Sequence, residues 1–163
     1  SKQRKKDKIM YNDRDLNIAL HIRLPMDIEN VVERFNDANY LVNTINHSFN
    51  MLENFLKKNI TKKKTKIFIF TQFYNKNLEI FNKFKNVRYC YKLNPYKSFI
   101  NLIHADVLLT GKSSFSYKAA LISRGVKVSP SNFWHRYPRN DKKWFLANND
   151  GKLKKNIKKI LIK

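Results

Sequence analysis

The sequence has few of the residues that cross-link, bend or interrupt a chain: 163 residues include one cysteine, three glycines and four prolines. So little glycine and proline argues against collagen-like, low-complexity and short-turn β architectures. The lone cysteine, Cys90, can close no internal disulfide and cannot form a cysteine-based zinc site. The sequence therefore predicts neither a stapled secreted domain nor a zinc finger, and it indicates a reducing, cytoplasmic compartment.

Long apolar runs are also missing. No stretch approaches the roughly 20 apolar residues that a membrane span needs, and the first residues are charged, unlike the apolar core of a signal peptide. We therefore expect a soluble chain without a membrane span. Hydrophobic residues still make up 42% of the sequence, which is enough for a buried core. The length predicts one domain over 15–163, preceded by a basic leader over 1–14.

Acidic residues are scarce: 12 Asp and Glu stand against 34 Lys and Arg, for a net charge of +22. Three segments, 1–14, 57–66 and 152–163, together hold 18 of the basic residues and only 2 of the acidic ones. Such runs are either solvated lysine segments or a surface that binds nucleic acid or another polyanion. Both interpretations stay open, although the runs lack the interleaved aromatics of a stacking platform for single strands.

Short, wholly apolar runs alternate with helical patterns along the chain. The runs predict five strands, over 16–22, 67–71, 87–91, 107–109 and 126–128. The helical patterns predict an amphipathic helix over 41–56, shorter helices over 78–84 and after Pro95, a helix over 113–123, and a last one over 152–162. Residues 131–145 are expected to be irregular and aromatic.

Strands that are apolar along their whole length are typical of a parallel sheet that is covered on both faces. The sequence therefore predicts a doubly wound, Rossmann-like α/β fold, with a mostly parallel sheet of about five strands and helices on both faces. Ligands of such sheets bind at the carboxyl ends of the strands, where the strand order reverses. The residues that follow the strands are accordingly the candidates for a functional site.

The first strand ends in His21-Ile22-Arg23. Because side chains alternate along a strand, His21 and Arg23 are expected on one side and Ile22 on the other. An arginine at this edge can grip a phosphate, since its planar guanidinium donates two charge-assisted hydrogen bonds. The alternative is an exposed pair at a strand end with no ligand.

A second candidate runs from the fourth strand into the following helix, as Thr110-Gly111-Lys112-Ser113-Ser114-Phe115-Ser116. A helix N-terminus offers unpaired N–H groups and partial positive charge, so it attracts anions. Gly111 allows close approach of the backbone, Lys112 adds charge and the serines add hydroxyl donors. The alternative is that a serine here serves only as the helix N-cap.

Residues 132–138, Asn-Phe-Trp-His-Arg-Tyr-Pro, follow the fifth strand. They could wall a sugar or nucleotide site or simply fill space as an apolar plug. Asp13-Arg14-Asp15 has the D-x-D pattern that binds metal in some glycosyltransferases, but it precedes the first strand. We therefore expect no metal site and no resident cofactor.

Together, His-Ile-Arg and the later Ala-Asp-Val-Leu-Leu-Thr-Gly-Lys-Ser-Ser-Phe-Ser resemble motifs of the superfamily of α1,2-, α1,6- and protein O-fucosyltransferases. The likeness covers residues 16–147 and corresponds to the C-terminal, nucleotide-sugar-binding half of a GT-B enzyme. It implies that Arg23 holds the β-phosphate of GDP-fucose, that His21 lies beside the nucleotide, and that the turn 113–116 cradles the pyrophosphate. The implied binding set is His21, Arg23, Ser98, Lys112, Ser113, Ser114, Phe115 and Ser116.

The chain departs from the family pattern at several positions. Leu24 replaces the second arginine of the motif, Met26 falls where its acid would be, and Thr71-Gln72 replaces an acidic pair after the second strand. Ser98 falls where a family acid can meet guanine, so the base is not specified. Asp27, one residue beyond Met26, is the predicted catalytic base.

The sequence thus predicts a glycosyltransferase domain of fucosyltransferase type. Arg23 and Lys112 would stabilise the leaving diphosphate of a GDP-sugar without metal, and the acceptor would be a hydroxyl of a glycan or protein. An N-terminal, acceptor-binding half is expected on a longer native chain. The alternatives are a polyanion-binding α/β module and an inactive sugar-nucleotide domain within a larger assembly.

Overall fold

Six parallel strands form one sheet in the computed structural model, which describes residues 9–25, 39–58 and 63–154. Within this part of the chain the order across the sheet is β3-β2-β1-β4-β5-β6. The strands are β1 (Leu16–His21), β2 (Thr65–Phe70), β3 (Val87–Cys90), β4 (Val107–Leu109), β5 (Val126–Pro130) and β6 (Trp144–Ala147).

The five apolar runs that predicted strands all form them, and β6 is an addition. It comes from the stretch predicted to be irregular, and it pairs in parallel with β5, Val128 opposite Phe145. The prediction of the last helix is wrong at its start, because residues 152–154 are not helical and Leu153 forms an antiparallel bridge with Ala147. The remainder of that prediction, from residue 155 onward, lies outside the described residues.

In the described residues, four helical segments connect the strands. They are α1 (Tyr40–Lys58), a 3₁₀ helix (Lys76–Lys83), α2 (Pro95–His104) and α3 (Ser114–Ile122). The start of α2 has two features that a sequence can predict. Asn94 caps the helix by accepting a hydrogen bond from the Lys97 amide, and Pro95 occupies the first turn, where no N–H is needed.

The helices cover both faces of the sheet, which confirms the doubly wound fold. On one face, Ile18, Leu20 and Ile22 pack in a core with residues of α1 and the 3₁₀ helix. On the other face, Ala19 packs with residues of α2 and α3, including Leu102 and Ala119. This alternation along β1 is the two-residue period of a strand that is buried on both sides.

Hydrogen bonds and an ion pair close the amino-terminal edge of the sheet. The buried Asn17 donates from its backbone N and its Nδ2 to one carboxylate oxygen of Asp106, at 2.8 and 2.9 Å. Nearby, Asp15 forms an ion pair with Lys66 at 2.8 Å. Tyr11, from the predicted leader, is also buried and meets Phe68 edge-on. The polar groups of this edge therefore hold β1, β2 and β4 together.

The strand order reverses at β1. From β1 the chain moves outward through β2 and β3, and then crosses back to place β4, β5 and β6 on the other side. The carboxyl ends of β1 and β4 therefore border the crevice in which sheets of this type bind their ligands.

Candidate functional site

A cleft of about 260 Å³ opens at the carboxyl ends of β1 and β4, and we call it the switch-point cleft. Its walls come from the end of β1, the β4–α3 turn, one side of α1, and the segments after β5 and β6. The lining residues are Arg23, Tyr40, Asn43, Thr44, His47, Ser48, Gly111, Lys112, Pro130, Asn132 and Asn149.

Arg23 lies in this cleft on backbone that two elements hold in place. Ile22 donates its backbone N–H to Phe70 at 2.9 Å. Gln72, just after β2, accepts from the Leu24 amide at 3.1 Å and donates its Nε2 to the Leu24 carbonyl at 3.0 Å. In the family pattern, the position of Gln72 belongs to an acidic pair that this chain lacks. In the structure, Gln72 instead holds the backbone beside Arg23 in place.

His21, two residues before Arg23, is buried. It is only 6% exposed, its ring lies 5.5 Å from that of Phe115, and its Nδ1 atom has no hydrogen-bond partner among the described residues. Burial, and then the charge of Arg23, lower the pKa of His21 to about 3. The imidazole is therefore neutral near pH 7, and Arg23 rather than His21 supplies positive charge.

Gly111 brings the β4–α3 turn against β1. A Cβ atom at this position would lie 2.8 Å from the His21 carbonyl oxygen and 3.5 Å from the Arg23 amide nitrogen. A larger residue would push the two strand ends apart, so the close approach requires glycine. The exposed Lys112 follows directly, and it places a second cationic side chain in the same cleft as Arg23.

The three serines of the turn make local hydrogen bonds. Ser113 is the N-cap of α3 and accepts from the Phe115 amide, and the buried Ser116 donates its hydroxyl to the Ser113 carbonyl, both at 3.3 Å. Ser114 shares a hydrogen bond of 2.9 Å with His135. The turn therefore presents Gly111 and Lys112 to the cleft, and the cradling of a pyrophosphate by these hydroxyls stays a prediction.

Two other predicted site residues lie elsewhere. Ser98 is in α2, half-buried, and does not line the cleft; its neighbour Phe99 packs against Phe115 with ring centroids 5.3 Å apart. Phe99 and Phe115 thus belong to the interface between α2 and α3, and Phe115, like Ser98, does not line the cleft. Asp27, the predicted base, lies outside the described residues.

One wall of the cleft was not predicted. Tyr40, Asn43 and His47 lie on α1, whose polar side the periodicity left to solvent. His47 donates its Nε2–H to the Asn148 carbonyl at 3.0 Å, which fixes the tautomer and leaves Nδ1 as a proton acceptor. Helical periodicity alone gives no signal for this role, since it does not show which strand end a polar face adjoins.

Among the described residues that line the cleft, the charged side chains are all cationic. Arg23 and Lys112 are cationic, and no carboxylate belongs to the described lining residues. Across residues 9–25, 39–58 and 63–154, no three His, Cys, Asp or Glu side chains are grouped so as to hold a metal ion. An anion is therefore the ligand that these residues favour.

The described segments of the predicted basic regions also make local contacts. Lys57 pairs with Glu53 and Lys66 pairs with Asp15, each at 2.8 Å, and Lys58 donates to the Leu153 carbonyl.

In the described part of the chain, no helix is long and apolar enough to cross a bilayer.

The aromatic stretch after β5 divides into two parts. Tyr137 is half-buried, donates its hydroxyl to the Pro130 carbonyl, and lies against the buried Trp144. Trp134, in contrast, is 76% exposed. One part of the stretch is therefore packed, as a plug would be, and the other faces solvent.

No protein-family model and no curated protein matches this chain. Among solved structures, it is similar to that of NodZ α-1,6-fucosyltransferase co-crystallised with GDP, with a TM-score of 0.53 and 12% sequence identity. The similarity covers 82% of this chain and 43% of the other, so this chain spans less than half of that protein. The likeness shows a fold of the fucosyltransferase type, which confirms the fold implied by the sequence resemblance.

Proposed function

We propose that this domain binds the diphosphate of a GDP-sugar, most simply GDP-fucose, and serves as the donor-binding part of a fucosyltransferase-like glycosyltransferase. One observation carries the proposal: Arg23 and Lys112 line a single cleft at the switch point of the sheet. The fold adds support, because the similar solved structure is a fucosyltransferase that was co-crystallised with GDP.

In this proposal, Arg23 and Lys112 act on the leaving group. When the bond between the sugar carbon and the phosphate oxygen breaks, negative charge grows on the diphosphate. A guanidinium fork and an ammonium group beside it stabilise that charge without a metal ion. Gly111 contributes through packing, because its lack of a side chain lets the turn that carries Lys112 lie against the end of β1 that carries Arg23.

The acceptor hydroxyl must also lose its proton during the transfer. Asp27 remains the predicted base. Within the described residues, His47 is the side chain of the cleft that can take a proton, because its Nε2–H is committed to Asn148 and its Nδ1 lone pair is available. Transfer that survives His47→Gln but is lost in Asp27→Asn would assign the proton to Asp27, and the reverse would assign it to His47.

The acceptor is proposed to be a hydroxyl of a glycan or a protein. Asn43, Asn132 and Asn149 give the cleft amide groups, which donate and accept hydrogen bonds in the way that sugar hydroxyls require. In a two-domain enzyme a second half would complete the acceptor site.

Calorimetry with GDP, guanosine and EDTA tests the proposal. We expect GDP to bind with and without the chelator, and guanosine to bind much more weakly, because the diphosphate makes the charged contacts. Loss of GDP binding on chelation, or a preference for a UDP-sugar with manganese, would contradict it. Tight binding of a generic DNA duplex without measurable GDP binding would favour the polyanion interpretation.

A further inference from the structure

A second pocket lies in the loop that joins β5 to β6, residues 131–143, which we call the aromatic loop. The pocket is open, with a volume of about 560 Å³. Its walls include Phe133, His135 and Tyr137 together with Ser131, Arg136 and Arg139. Asn132, between two of these residues, lines the switch-point cleft instead. The aromatic loop therefore borders the cleft on one side and this pocket on the other.

Three rings of this region are in contact, one parallel pair and one ring tilted by 32°, and we call them the aromatic stack. Tyr117 of α3 lies parallel to His135, with ring centroids 4.2 Å apart and planes 6° apart. Trp134 lies against His135 at 3.7 Å. Trp134 is 76% exposed, so the outermost ring of the stack is available to solvent while the inner rings cover one another. Stacked aromatics of this kind present a rigid surface at low entropic cost.

Hydrogen bonds fix the stack to the fold. Tyr117 donates its hydroxyl to the Arg136 carbonyl at 2.6 Å, and His135 shares its Nε2 with the Ser114 hydroxyl. Tyr137 anchors the loop to the end of β5 through Pro130. His135, against which the exposed ring lies, is therefore held in a defined position beside the first turn of α3.

The pocket carries positive charge. Arg136 and Arg139 are both exposed, and the described lining residues include no acid. Asp141, in the same loop, is engaged elsewhere: it pairs with the buried Lys127 at 2.7 Å. No carboxylate among the described lining residues neutralises the two guanidinium groups. A ligand with negative charge therefore complements this pocket.

We propose that an acidic saccharide binds here, with a carboxylate in the pocket beside Arg136 and Arg139 and one sugar ring on the exposed face of Trp134. Trp134 does not line the pocket itself, but its ring lies against His135, which does. A pyranose ring suits this chemistry because its C–H face lies flat on an aromatic ring while its hydroxyl and carboxylate oxygens accept from guanidinium groups. The inference goes beyond donor binding and does not depend on it, since neither Arg23 nor Lys112 touches the pocket.

Calorimetry with a hyaluronan hexasaccharide, in the absence of nucleotide, tests the proposal. We expect saturable binding that weakens about tenfold in Trp134→Ala, the effect of losing one aromatic platform. Tyr96→Ala is the matched control, since Tyr96 is 72% exposed on α2, away from the pocket, and should leave binding unchanged. Fluorescence of the buried Trp144 verifies that each variant is folded.

The charges are tested separately. Arg136→Gln with Arg139→Gln should weaken the hexasaccharide about fivefold or more, as expected for the loss of charge-assisted bonds. Lys142→Gln, which removes a charge from the same loop outside the pocket, should have little effect. A neutral maltohexaose should bind far more weakly than hyaluronan to the unmodified protein.

Three results would overturn the inference. The first is no hyaluronan binding at millimolar concentration. The second is binding that is equal in Trp134→Ala, which would assign it to the lysine-rich segments. The third is tighter, Trp134-dependent binding of a hexathymidylate strand, which would make the pocket a nucleic-acid site. Arg23→Ala should leave hyaluronan binding intact, so failure of the donor-site proposal is measured independently.

Discussion

The two edges of the sheet use similar polar residues in opposite ways. At the amino edge, Asn17 and Asp106 are bound to each other, and Asp15 is paired with Lys66. At the carboxyl edge, the exposed Lys112 lines an open cleft, whereas the buried His21, which does not line the cleft, has an Nδ1 atom without a partner among the described residues. Polar side chains that satisfy one another hold strands together, whereas those that face a cleft can meet a ligand.

The contrast also concerns charge. At the amino edge, acids and bases occur together, while the described lining of the switch-point cleft contains cations and no carboxylate. Substitutions at the amino edge should therefore reduce stability, and those at the carboxyl edge should reduce affinity for an anion. Each prediction below tests one side of this difference.

The largest effect is expected at the amino edge, for Asn17→Ala. The change removes several buried hydrogen bonds and leaves the Asp106 carboxylate short of a donor, so it should lower the free energy of unfolding by about 3 kcal/mol. Urea denaturation measures the loss. Asn149→Ala, an exposed asparagine of the cleft, is the matched control and should change stability by less than about 0.5 kcal/mol. Equal losses of stability in Asn17→Ala and Asn149→Ala would contradict the proposed difference between the two edges of the sheet.

Arg23→Ala should have the opposite profile. Loss of a charge-assisted contact should reduce the affinity for GDP by about 1.5–3 kcal/mol, with much less effect on guanosine and little on unfolding. Arg88→Ala removes the same charge from an exposed position on β3 and should bind GDP normally. If guanosine and GDP lose affinity equally, Arg23 does not contact the phosphates.

His21 should make stability depend on pH. Its pKa of about 3 in the folded chain lies below the ordinary value near 6.5, so the unfolded chain binds more protons between these values. Stability should therefore be unaffected above pH 7 and fall by about 2 kcal/mol from pH 7 to pH 5. Unfolding curves at a series of pH values measure the slope.

The variant His21→Gln serves as the comparison for that slope. Because glutamine does not titrate, the fall attributed to His21 should disappear between pH 7 and pH 5, whatever the stability of the variant at pH 7. An unchanged slope would mean that a different group carries the pH dependence.

Gln72→Ala should give the smallest of these effects. The two hydrogen bonds between Gln72 and Leu24 hold the backbone beside Arg23. Their loss should weaken the binding of GDP by about 1 kcal/mol, because Arg23 is then held less firmly. A double-mutant cycle shows whether the effect is indirect: in an Arg23→Ala background, Gln72→Ala should cost almost nothing further. Additive losses would mean that Gln72 acts on the ligand by another route.

Much of the fold could be predicted because its strands are buried on both faces. Runs such as Ile67 to Phe70 are short, wholly apolar and rich in β-branched and aromatic residues, which favours a covered parallel strand. The apolar stripe from Leu41 to Leu56 is long enough to define α1. The sequence does not predict β6, because its four residues are too few to show a hydrophobic periodicity and they stand beside a lysine pair and an aromatic loop. Leu153 was assigned to a helix because its apolar spacing suits either structure.

The candidate site could be predicted only where a strand end determines it. Arg23 and Gly111 follow β1 and β4 directly, so the topology places them at one edge. The serines were harder, because the hydroxyls of Ser113 and Ser116 bond to the turn itself, and only a structure shows that. The side chains that α1 adds to the cleft, including His47, depend on how the helix crosses the edge of the sheet. That crossing is set by tertiary packing and is not visible in the residues of α1 alone.

The most direct test of the account is to map GDP binding on the assigned amide signals of the protein by NMR. We predict chemical-shift changes concentrated at Arg23, Gly111, Lys112 and Ser114, with small changes at Asn17, Asp106 and the other amino-edge residues. Arg23→Ala should remove most of these changes. Shifts that cluster at the amino edge or in the lysine-rich segments, with the signals of Arg23 and Gly111 unmoved, would contradict the assignment of the switch-point cleft as the nucleotide site.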